Sequence, residues 1–315
     1  MDRIDLLIVT LTANPAIDQN FATDRLAFDD RSYLQERSEA AGGRGINASL
    51  VLHSLGVETL AIAPCGGPAG DRFEVRLRGY GFPVELVPIR HELRTNYAIT
   101  DRQGLTVKLD ELGPALDHDE IKQMESAVLR RLAGAEWLML CGSLPPGVPT
   151  DFYRRLIAEA TAANVQTLLD AGGAPLLDGL EAHPTVVAPN QLEAERILDR
   201  ALVIRTHFHE AAEQIRAMGA QSVILSLGGR GAVVAHDGAV AEVIPPRIDA
   251  VCPIGAGDAL NAAFVWAITQ GNEFFEAVRW GVAAGSASAR LPGLSFASLD
   301  QIREIYAEVE LRIVS

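Results

Sequence analysis

The most informative stretch of the sequence is Gly255-Ala256-Gly257-Asp258, which opens the apolar run at 256–269. The first N–H groups of a helix lack partners, and its dipole places positive charge there, so a glycine turn at this point suits a phosphoryl group. Asp258 falls in the first helical turn, where its carboxylate can accept a proton from an attacking hydroxyl. The same pattern is also typical of an ordinary helix start capped by an aspartate.

Upstream of this turn, short apolar runs rich in β-formers alternate with longer amphipathic segments. Such alternation favours a mostly parallel sheet with helices on both faces, so the sequence predicts the α/β fold class. Strands are predicted at 6–11, 59–63, 137–141, 166–170, 185–188, 222–227, 231–236 and 241–244. Helices are predicted at 46–55, 120–132, 151–163, 191–198, 210–218, 256–269 and 274–289, the last two ending the fold.

Two segments, 21–39 and 95–109, break this rhythm, because they carry scattered charges between alternating apolar positions. The pattern fits short antiparallel strands of a small appended sheet better than elements of the main core. The sequence contains no linker, low-complexity tract or internal repeat. We therefore predict a single domain over residues 1–315, with a small β lid inserted from about 21–39 and 95–109.

The composition argues against several classes of protein. The 315 residues include 27 Lys+Arg and 41 Asp+Glu, a net charge of −14, so a basic face for nucleic acid is not expected. Apolar runs are far shorter than the ~18 residues of a membrane span, and residues 1–5 do not resemble a signal peptide. We therefore expect a cytoplasmic protein that binds neither nucleic acid nor membranes. The lysines, Lys108 and Lys122, do not follow glycine, which excludes the phosphate loop ending in Gly-Lys.

Some chemically versatile side chains are expected to be structural. Cys65, Cys141 and Cys252 lie far apart and form no CxxC pair, so we expect buried thiols in a reducing compartment. His207 and His209 precede a predicted helix and lack an evident third ligand, so we expect a surface loop there rather than a metal site.

Three further motifs lie at the ends of predicted strands or the start of a predicted helix. Residues 41–47, AGGRGIN, form a second glycine-rich turn that offers a guanidinium and an amide to a polyol or its phosphate. Residues 14–18, NPAID, place a carboxylate where a strand ends, the usual ligand position in open α/β sheets. Residues 141–147, CGSLPPG, place a hydroxyl in the loop after another strand. Taken singly, each motif is also typical of an ordinary loop.

Together, and in this order, the motifs resemble the PfkB carbohydrate kinase family of the ribokinase superfamily, over essentially the whole chain. The motifs that carry the resemblance are NPAID at 14–18, GGRGIN at 42–47, GGPAGD at 66–71, RTN at 94–96, GSLPPG at 142–147, PNQLE at 189–193, SLGGRG at 226–231 and GAGD at 255–258. GSLPPG and ELGP at 111–114 are similar to the hexose-phosphate branch, which contains 1-phosphofructokinase, tagatose-6-phosphate kinase and the minor 6-phosphofructokinase.

The resemblance implies a three-layer α/β/α ribokinase-like domain with a mostly parallel central sheet and a β lid that clasps a homodimer. It implies ATP-dependent phosphorylation of a phosphorylated ketohexose to the bisphosphate, with ATP and Mg²⁺ required. Fructose 1-phosphate, tagatose 6-phosphate and fructose 6-phosphate are the candidate substrates. Two alternatives are a kinase of an unphosphorylated sugar or nucleoside, and a non-catalytic regulator that binds a sugar or nucleotide.

The resemblance also implies roles for individual residues. Asp258 is the expected base, and the anion hole for the transferring phosphoryl group is assigned to the amides of Gly255, Ala256 and Gly257. Sugar hydroxyls are assigned to Asp18, Gly43 and Asn47. The phosphate already on the sugar is assigned to Arg44, Arg94 and Ser143. The nucleotide is assigned to Asn190, Glu193, Ser226, Gly228 and Gly231, with Glu193 positioning Mg²⁺ through water. Arg44 departs from the lysine usual in fructose-1-phosphate and tagatose kinases, and it changes reach and geometry while keeping the charge.

Overall fold

The computed structural model describes residues 7–27 and 29–314, which form fourteen strands and ten α-helices. The strands are β1 Leu7–Thr12, β2 Ala16–Thr23, β3 Leu34–Gly42, β4 Thr59–Cys65, β5 Val84–Pro88, β6 Arg94–Asp101, β7 Thr106–Asp110, β8 Ala135–Cys141, β9 Gln166–Asp170, β10 Val186–Val187, β11 Ser222–Ser226, β12 Ala232–His236, β13 Ala239–Ile244 and β14 Glu310–Ile313. The helices are α1 Arg44–Ser54, α2 Gly67–Arg78, α3 His118–Leu132, α4 Phe152–Ala162, α5 Ala174–Leu180, α6 Gln191–Leu198, α7 Arg205–Ala217, α8 Ala256–Thr269, α9 Phe274–Ala289 and α10 Leu299–Tyr306.

A ten-stranded sheet forms the centre of the fold, in the order β14-β13-β12-β11-β10-β9-β8-β1-β4-β5. The pairs from β11 to β5 are parallel, and β12 to β14 add antiparallel pairs at one edge. Helices α2 to α7 cover one face and α1, α8, α9 and α10 the other, with a separate apolar cluster on each side. The predicted three-layer α/β/α fold is thus confirmed, and the parallel strands end at one common edge.

A second sheet of four strands, β3-β2-β6-β7, contains both of the segments that break the strand–helix rhythm. Its strands are longer than predicted, because β2 starts at Ala16 and β3 continues to Gly42. The prediction of antiparallel strands is correct for β2–β3 and β6–β7 but wrong for β2–β6, which pair in parallel. The reason is that β2 follows β1 and β6 follows β5. Both therefore leave the same edge of the main sheet in the same direction.

Several elements were not predicted, and the observed start of helix α7 changes the interpretation of His207 and His209. The motif at 66–71 opens helix α2, which has a proline in its first turn. Helix α10 and strand β14 follow α8 and α9, the helices that were expected to end the fold. Helix α7 begins at Arg205, so His207 and His209 lie inside it rather than in a loop. His209 Nε2 is 2.6 Å from Glu242 Oε1 on β13, a contact that ties the helix to the sheet. Within residues 7–27 and 29–314, no helix has the length and apolar character needed to cross a bilayer.

Candidate active site

The predicted site residues meet where parallel strands end and helices α1, α6 and α8 begin. Asn47 on α1 donates from Nδ2 to Asp258 Oδ2 on α8 at 2.7 Å. Arg44, at the start of α1, reaches Asp170 at the end of β9 and Glu193 on α6. Three helix N-termini and a strand end are thereby joined through five side chains. This is the edge at which open α/β sheets bind ligands.

Asp258 is buried, with 9% of its surface exposed. Burial, and after it the nearby charge of Asp170, raise the pKa of its carboxyl to about 7, against the opposing effects of Asn47 and Arg44. A carboxyl with a pKa near neutrality is suited to general-base work, because it is available as a carboxylate yet still basic enough to take a proton.

In the turn before Asp258, one of the three amides assigned to the phosphoryl group has a partner within the turn. Gly255 has a φ of +79°, and a Cβ there would lie 3.0 Å from the ring of Phe296, so both conformation and space require glycine. The helix has no side-chain cap, but the Ala256 amide donates to the Pro253 carbonyl at 3.2 Å. The amides of Gly255 and Gly257 are therefore the better candidates for a phosphoryl oxygen, and Ala256 contributes to the shape of the turn.

Arg44 occupies a different place from the one assigned to it. Its Nη1 donates to Asp170 Oδ1 at 2.6 Å and its Nη2 to Glu193 Oε1 at 2.9 Å. Asp170 raises the pKa of Arg44, which therefore remains charged, while burial raises the pKa of the Asp170 carboxyl. The guanidinium is directed to the nucleotide-side residues rather than to Arg94 and Ser143. Among the described residues, no hydrogen bond joins Arg44 to Arg94 or Ser143, whereas Arg94 and Ser143 both contact Asn14.

The residues assigned to the nucleotide form two adjoining loops. Asn190 caps helix α6 by accepting from the Glu193 amide at 2.9 Å, and Glu193 Oε2 accepts from the Asn190 amide at the same distance. Ser226 ends β11 and donates from its amide to Pro189, which places its loop beside the cap. Gly228 and Gly231 flank the following short turn with φ values of +59° and +88°. Their backbone conformation favours glycine.

Of the residues assigned to the sugar, Asp18 lies on the four-stranded sheet, Gly43 in the turn that follows it, and Asn47 on helix α1. Asp18 on β2 accepts from Asn96 Nδ2 on β6 at 2.9 Å, because the two residues are in register. Burial raises the pKa of Asp18, whereas Asn96 and Arg94 lower it. A Cβ on Gly42 would lie 1.8 Å from Asp18 Oδ2, so glycine is needed for this approach, and Gly43 has a φ of +133°.

Arg94 and Ser143 come together through Asn14. Arg94 donates from Nη1 to the Glu111 carbonyl at 3.1 Å and from Nη2 to the Asn14 carbonyl at 2.8 Å. Its Nε is buried and has no hydrogen-bond partner. Ser143 Oγ accepts from Asn14 Nδ2 at 3.2 Å. A cavity of about 420 Å³ opens beside Arg94 and is lined by His91, Glu92, Arg94 and residues 111–115.

Some functional candidates were missed in the sequence. Asp170 ends a predicted strand, so the rule that ligands bind at carboxyl ends of strands gave a signal for it. Asn96 belongs to the quoted RTN motif, yet only the register of β2 and β6 shows that it contacts Asp18. Asn261 on α8 acts on Asp170 by lowering the pKa of its carboxyl, against the effect of burial. No sequence signal could have found this last pair, because the two residues come from separate elements.

Comparison with known proteins finds relatives that match most of the chain. The profile of the pfkB family carbohydrate kinases matches residues 6–301. The chain is 31% identical over 303 residues to the ATP-dependent 6-phosphofructokinase isozyme 2 of Escherichia coli strain K12, covering 95% of this chain and 98% of that protein. It is 29% identical over 284 residues to the 1-phosphofructokinase of Borreliella burgdorferi, covering 90% and 92%.

Solved structures show the same fold. The crystal structure of Escherichia coli phosphofructokinase-2 in complex with substrates and products matches with a TM-score of 0.90 at 31% identity, covering 96% of this chain and 99% of that one. Ribokinase from Thermotoga maritima, at 18% identity and a TM-score of 0.77 over 96% of this chain and 99% of that one, shares the fold. The predicted resemblance is confirmed: the chain belongs to the pfkB family of carbohydrate kinases, on its hexose-phosphate branch, and is an ATP-dependent sugar kinase.

Proposed function

We propose that the enzyme transfers the γ-phosphoryl group of ATP to a hydroxyl of a ketohexose that already carries one phosphate. Fructose 1-phosphate, fructose 6-phosphate and tagatose 6-phosphate are the candidates. The observation that carries the proposal is the buried Arg94 Nε without a partner, beside Ser143. In a chain with a net charge of −14, an anionic substrate needs such a local cation. A guanidinium suits this role because it remains protonated and offers parallel donors to phosphate oxygens.

In this mechanism Asp258 takes the proton of the sugar hydroxyl as that oxygen attacks the γ-phosphorus. The bond between the γ-phosphorus and the oxygen of the departing ADP breaks, and the electron pair leaves with ADP. Phosphoryl transfer depends mainly on positioning and charge stabilisation. The amides of Gly255 and Gly257 face the developing negative charge, while Asp18 and Asn47 orient the sugar. Arg44, held by two carboxylates, offsets part of their negative charge on the nucleotide side.

The residues present fit a magnesium ion that arrives with ATP. Within the described part of the chain, no cluster of three side chains could hold a metal ion by itself. Mg²⁺ usually keeps several waters and is bound by one or two carboxylates and the substrate phosphates. Glu193, reaching the ion through water, is the residue we assign to this task. When bound, the ion neutralises phosphate charge.

Glu193→Gln is expected to raise the Mg²⁺ concentration needed for half-maximal activity about tenfold, because outer-sphere partners commonly change metal affinity 10–100-fold. Glutamine keeps the shape of the side chain and loses its charge. The measurement is initial rate against free Mg²⁺ at saturating ATP. Glu195→Gln is the matched control, since Glu195 lies on the same helix and its Oε1 accepts from Gln191 and Leu202. Equal Mg²⁺ requirements in the two variants would contradict the assignment.

The pH dependence of kcat/KM tests the environment of Asp258. Because the base must be ionised and its pKa is about 7, kcat/KM should fall tenfold per pH unit below pH 7. The pKa of the substrate phosphate lies near 6, so its ionisation also affects the profile at acidic pH. A variant is therefore needed to distinguish it from the ionisation of Asp258. Asp170→Asn removes a negative charge that raises the pKa of Asp258 and should move the limb to lower pH. If the acidic limb of the profile of kcat/KM against pH stays at the same pH in Asp170→Asn, that limb reports the ionisation of a group other than Asp258.

We also propose that the four-stranded sheet is the lid of a single kinase domain and the contact of a homodimer. Apolar side chains on this sheet and its turns, among them Leu34, Leu105 and Leu109, are more than half exposed. An open sheet with such a surface is stabilised by a partner. Molar mass by light scattering, compared between the native chain and Leu34→Glu with Leu109→Glu, tests this. A native chain of monomer mass would exclude the dimer.

The function itself is tested by a substrate panel. Fructose 1-phosphate, fructose 6-phosphate, tagatose 6-phosphate, fructose and ribose are compared by kcat/KM in a coupled assay of ADP release. The proposal expects at least one ketohexose phosphate to exceed every unphosphorylated sugar. A free sugar or a nucleoside as the best substrate would favour the alternative kinase, and absence of turnover with all of them would favour a regulator.

A further inference from the structure

Asn14 joins three segments that meet beside Arg94. It lies between β1 and β2 and is 4% exposed. Its Nδ2 donates to the Leu112 carbonyl at 3.0 Å and to Ser143 Oγ at 3.2 Å. Its own carbonyl accepts from Arg94 Nη2 at 2.8 Å. One residue thus contacts both groups to which we assign the substrate phosphate.

The contact with Ser143 decides what that hydroxyl can do. A hydroxyl has one proton to donate and two lone pairs that accept. The amide nitrogen of Asn14 can only donate, so Ser143 Oγ accepts from it. The Ser143 proton is then directed away from Asn14 and is available to an oxygen of the ligand. An acceptor at the same position would instead attract the proton.

The contact between the Asn14 backbone carbonyl and Arg94 likewise restricts the direction in which a side chain can donate. The carbonyls of Asn14 and Glu111 each take one N–H from a different terminal nitrogen of the guanidinium. The buried Nε remains without a partner. A guanidinium held in this way presents Nε and a remaining terminal N–H in a fixed direction, which is the fork that phosphate accepts.

The neighbouring loop is shaped to bring Asn14 into place. Gly113 has a φ of +97°, and a Cβ on it would lie 2.3 Å from Asn14 Oδ1. The loop is further held by Glu111 Oε2, which accepts from the Thr95 amide at 2.9 Å. Residues 111–115 also line the cavity beside Arg94. The loop, the cavity and the two phosphate ligands are therefore all connected through Asn14.

We propose that Asn14 is the positioning residue of a phosphate subsite, fixing Ser143 as a donor and, with Glu111, fixing the guanidinium of Arg94. The inference rests on the proposed function, because it concerns a phosphate that the substrate already carries. Asn14 does not itself contact the phosphate. It sets the direction of the two side chains that do.

A double-mutant cycle tests this role. Asn14→Ala is expected to lower kcat/KM for the preferred ketohexose phosphate about 10- to 100-fold, the range expected for loss of a hydrogen bond to a charged group. It should change the KM for ATP and kcat/KM for the free sugar less than twofold. In a Ser143→Ala background the same substitution should lower kcat/KM for the ketohexose phosphate less than about threefold, because the donor that Asn14 directs is already absent.

Three controls keep the result decisive. Asn272→Ala removes a part-buried hydrogen bond from a side-chain amide to a backbone carbonyl near the end of α8, and should leave all kinetic constants unchanged. Asn14→Asp keeps the shape of the side chain but cannot donate, so it should lose at least as much as Asn14→Ala. It decides the test if the alanine variant does not fold. Thermal unfolding of every variant shows whether it is folded.

The possible outcomes distinguish failure of the positioning role of Asn14 from failure of the proposed function. A wild-type enzyme without preference for a phosphorylated ketohexose overturns both. A wild-type enzyme with that preference, and equal costs of Asn14→Ala in both backgrounds, overturns the positioning role alone. Asn14→Asp with wild-type kcat/KM for the sugar phosphate does the same.

Discussion

Asp258→Asn is expected to lower kcat by about 10²–10⁴, the usual contribution of a general base, while the Kd for ATP changes little. Asparagine has the same shape and can still contact Asn47, but it cannot take the proton of the sugar hydroxyl. The buried position and the pKa of about 7 make Asp258 the group in this site best suited to that step. Steady-state turnover and calorimetric ATP binding measure the two quantities.

The matched control for this variant is Asp300→Asn, which makes the same change at a largely exposed aspartate that pairs with Arg303. It should leave kcat at the wild-type value. If Asp258→Asn instead keeps more than half of the wild-type kcat, the base is another group and the proposed mechanism is wrong.

Arg94→Ala is expected to lower kcat/KM for the ketohexose phosphate about 10²–10⁴-fold, because a bidentate charged contact comprises two hydrogen bonds of roughly 1.5–3 kcal/mol each. The KM for ATP should remain nearly constant. The decisive quantity is the ratio of kcat/KM for the sugar phosphate to that for the free sugar, which should fall with the arginine removed.

Arg102→Ala provides the comparison, since Arg102 follows the same strand, is mostly exposed and pairs with Asp24. A ratio that is equal in wild type and Arg94→Ala would make the neutral-sugar kinase the better interpretation. Arg94→Lys should restore little activity, because a lysine ammonium cannot bind both backbone carbonyls and still present a planar fork to phosphate.

The sequence was most informative where one segment determines its own structure. The bounds of α8 and α9 agree with the prediction because each is a continuous apolar helix with clear limits. Gly43 likewise lies in the turn that the AGGRGIN motif predicts, directly before α1. These features depend on local spacing, which a sequence displays directly.

The sequence was least informative where two distant segments decide the outcome. Arg44 was expected at the sugar phosphate, yet Asp170 and Glu193, 126 and 149 residues away, hold its guanidinium. The parallel pairing of β2 with β6 depends on where β1 and β5 end in the main sheet. Helix α10 had a local signal, the Ser298–Gln301 capping box, that was not used.

The division of the site between two sheets has a consequence for substrate selection. Asp18 and Asn96 belong to the four-stranded sheet, whereas Asp258 begins a helix packed on the main one. Under the proposed assignments, a sugar that reaches the base spans these two structural units and is held by both. Interaction energy from hydroxyls remote from the reacting oxygen can then be used to bring the two units into their reactive arrangement. A sugar with the wrong configuration at such a hydroxyl would lose turnover as well as affinity, because those contacts support the transition state.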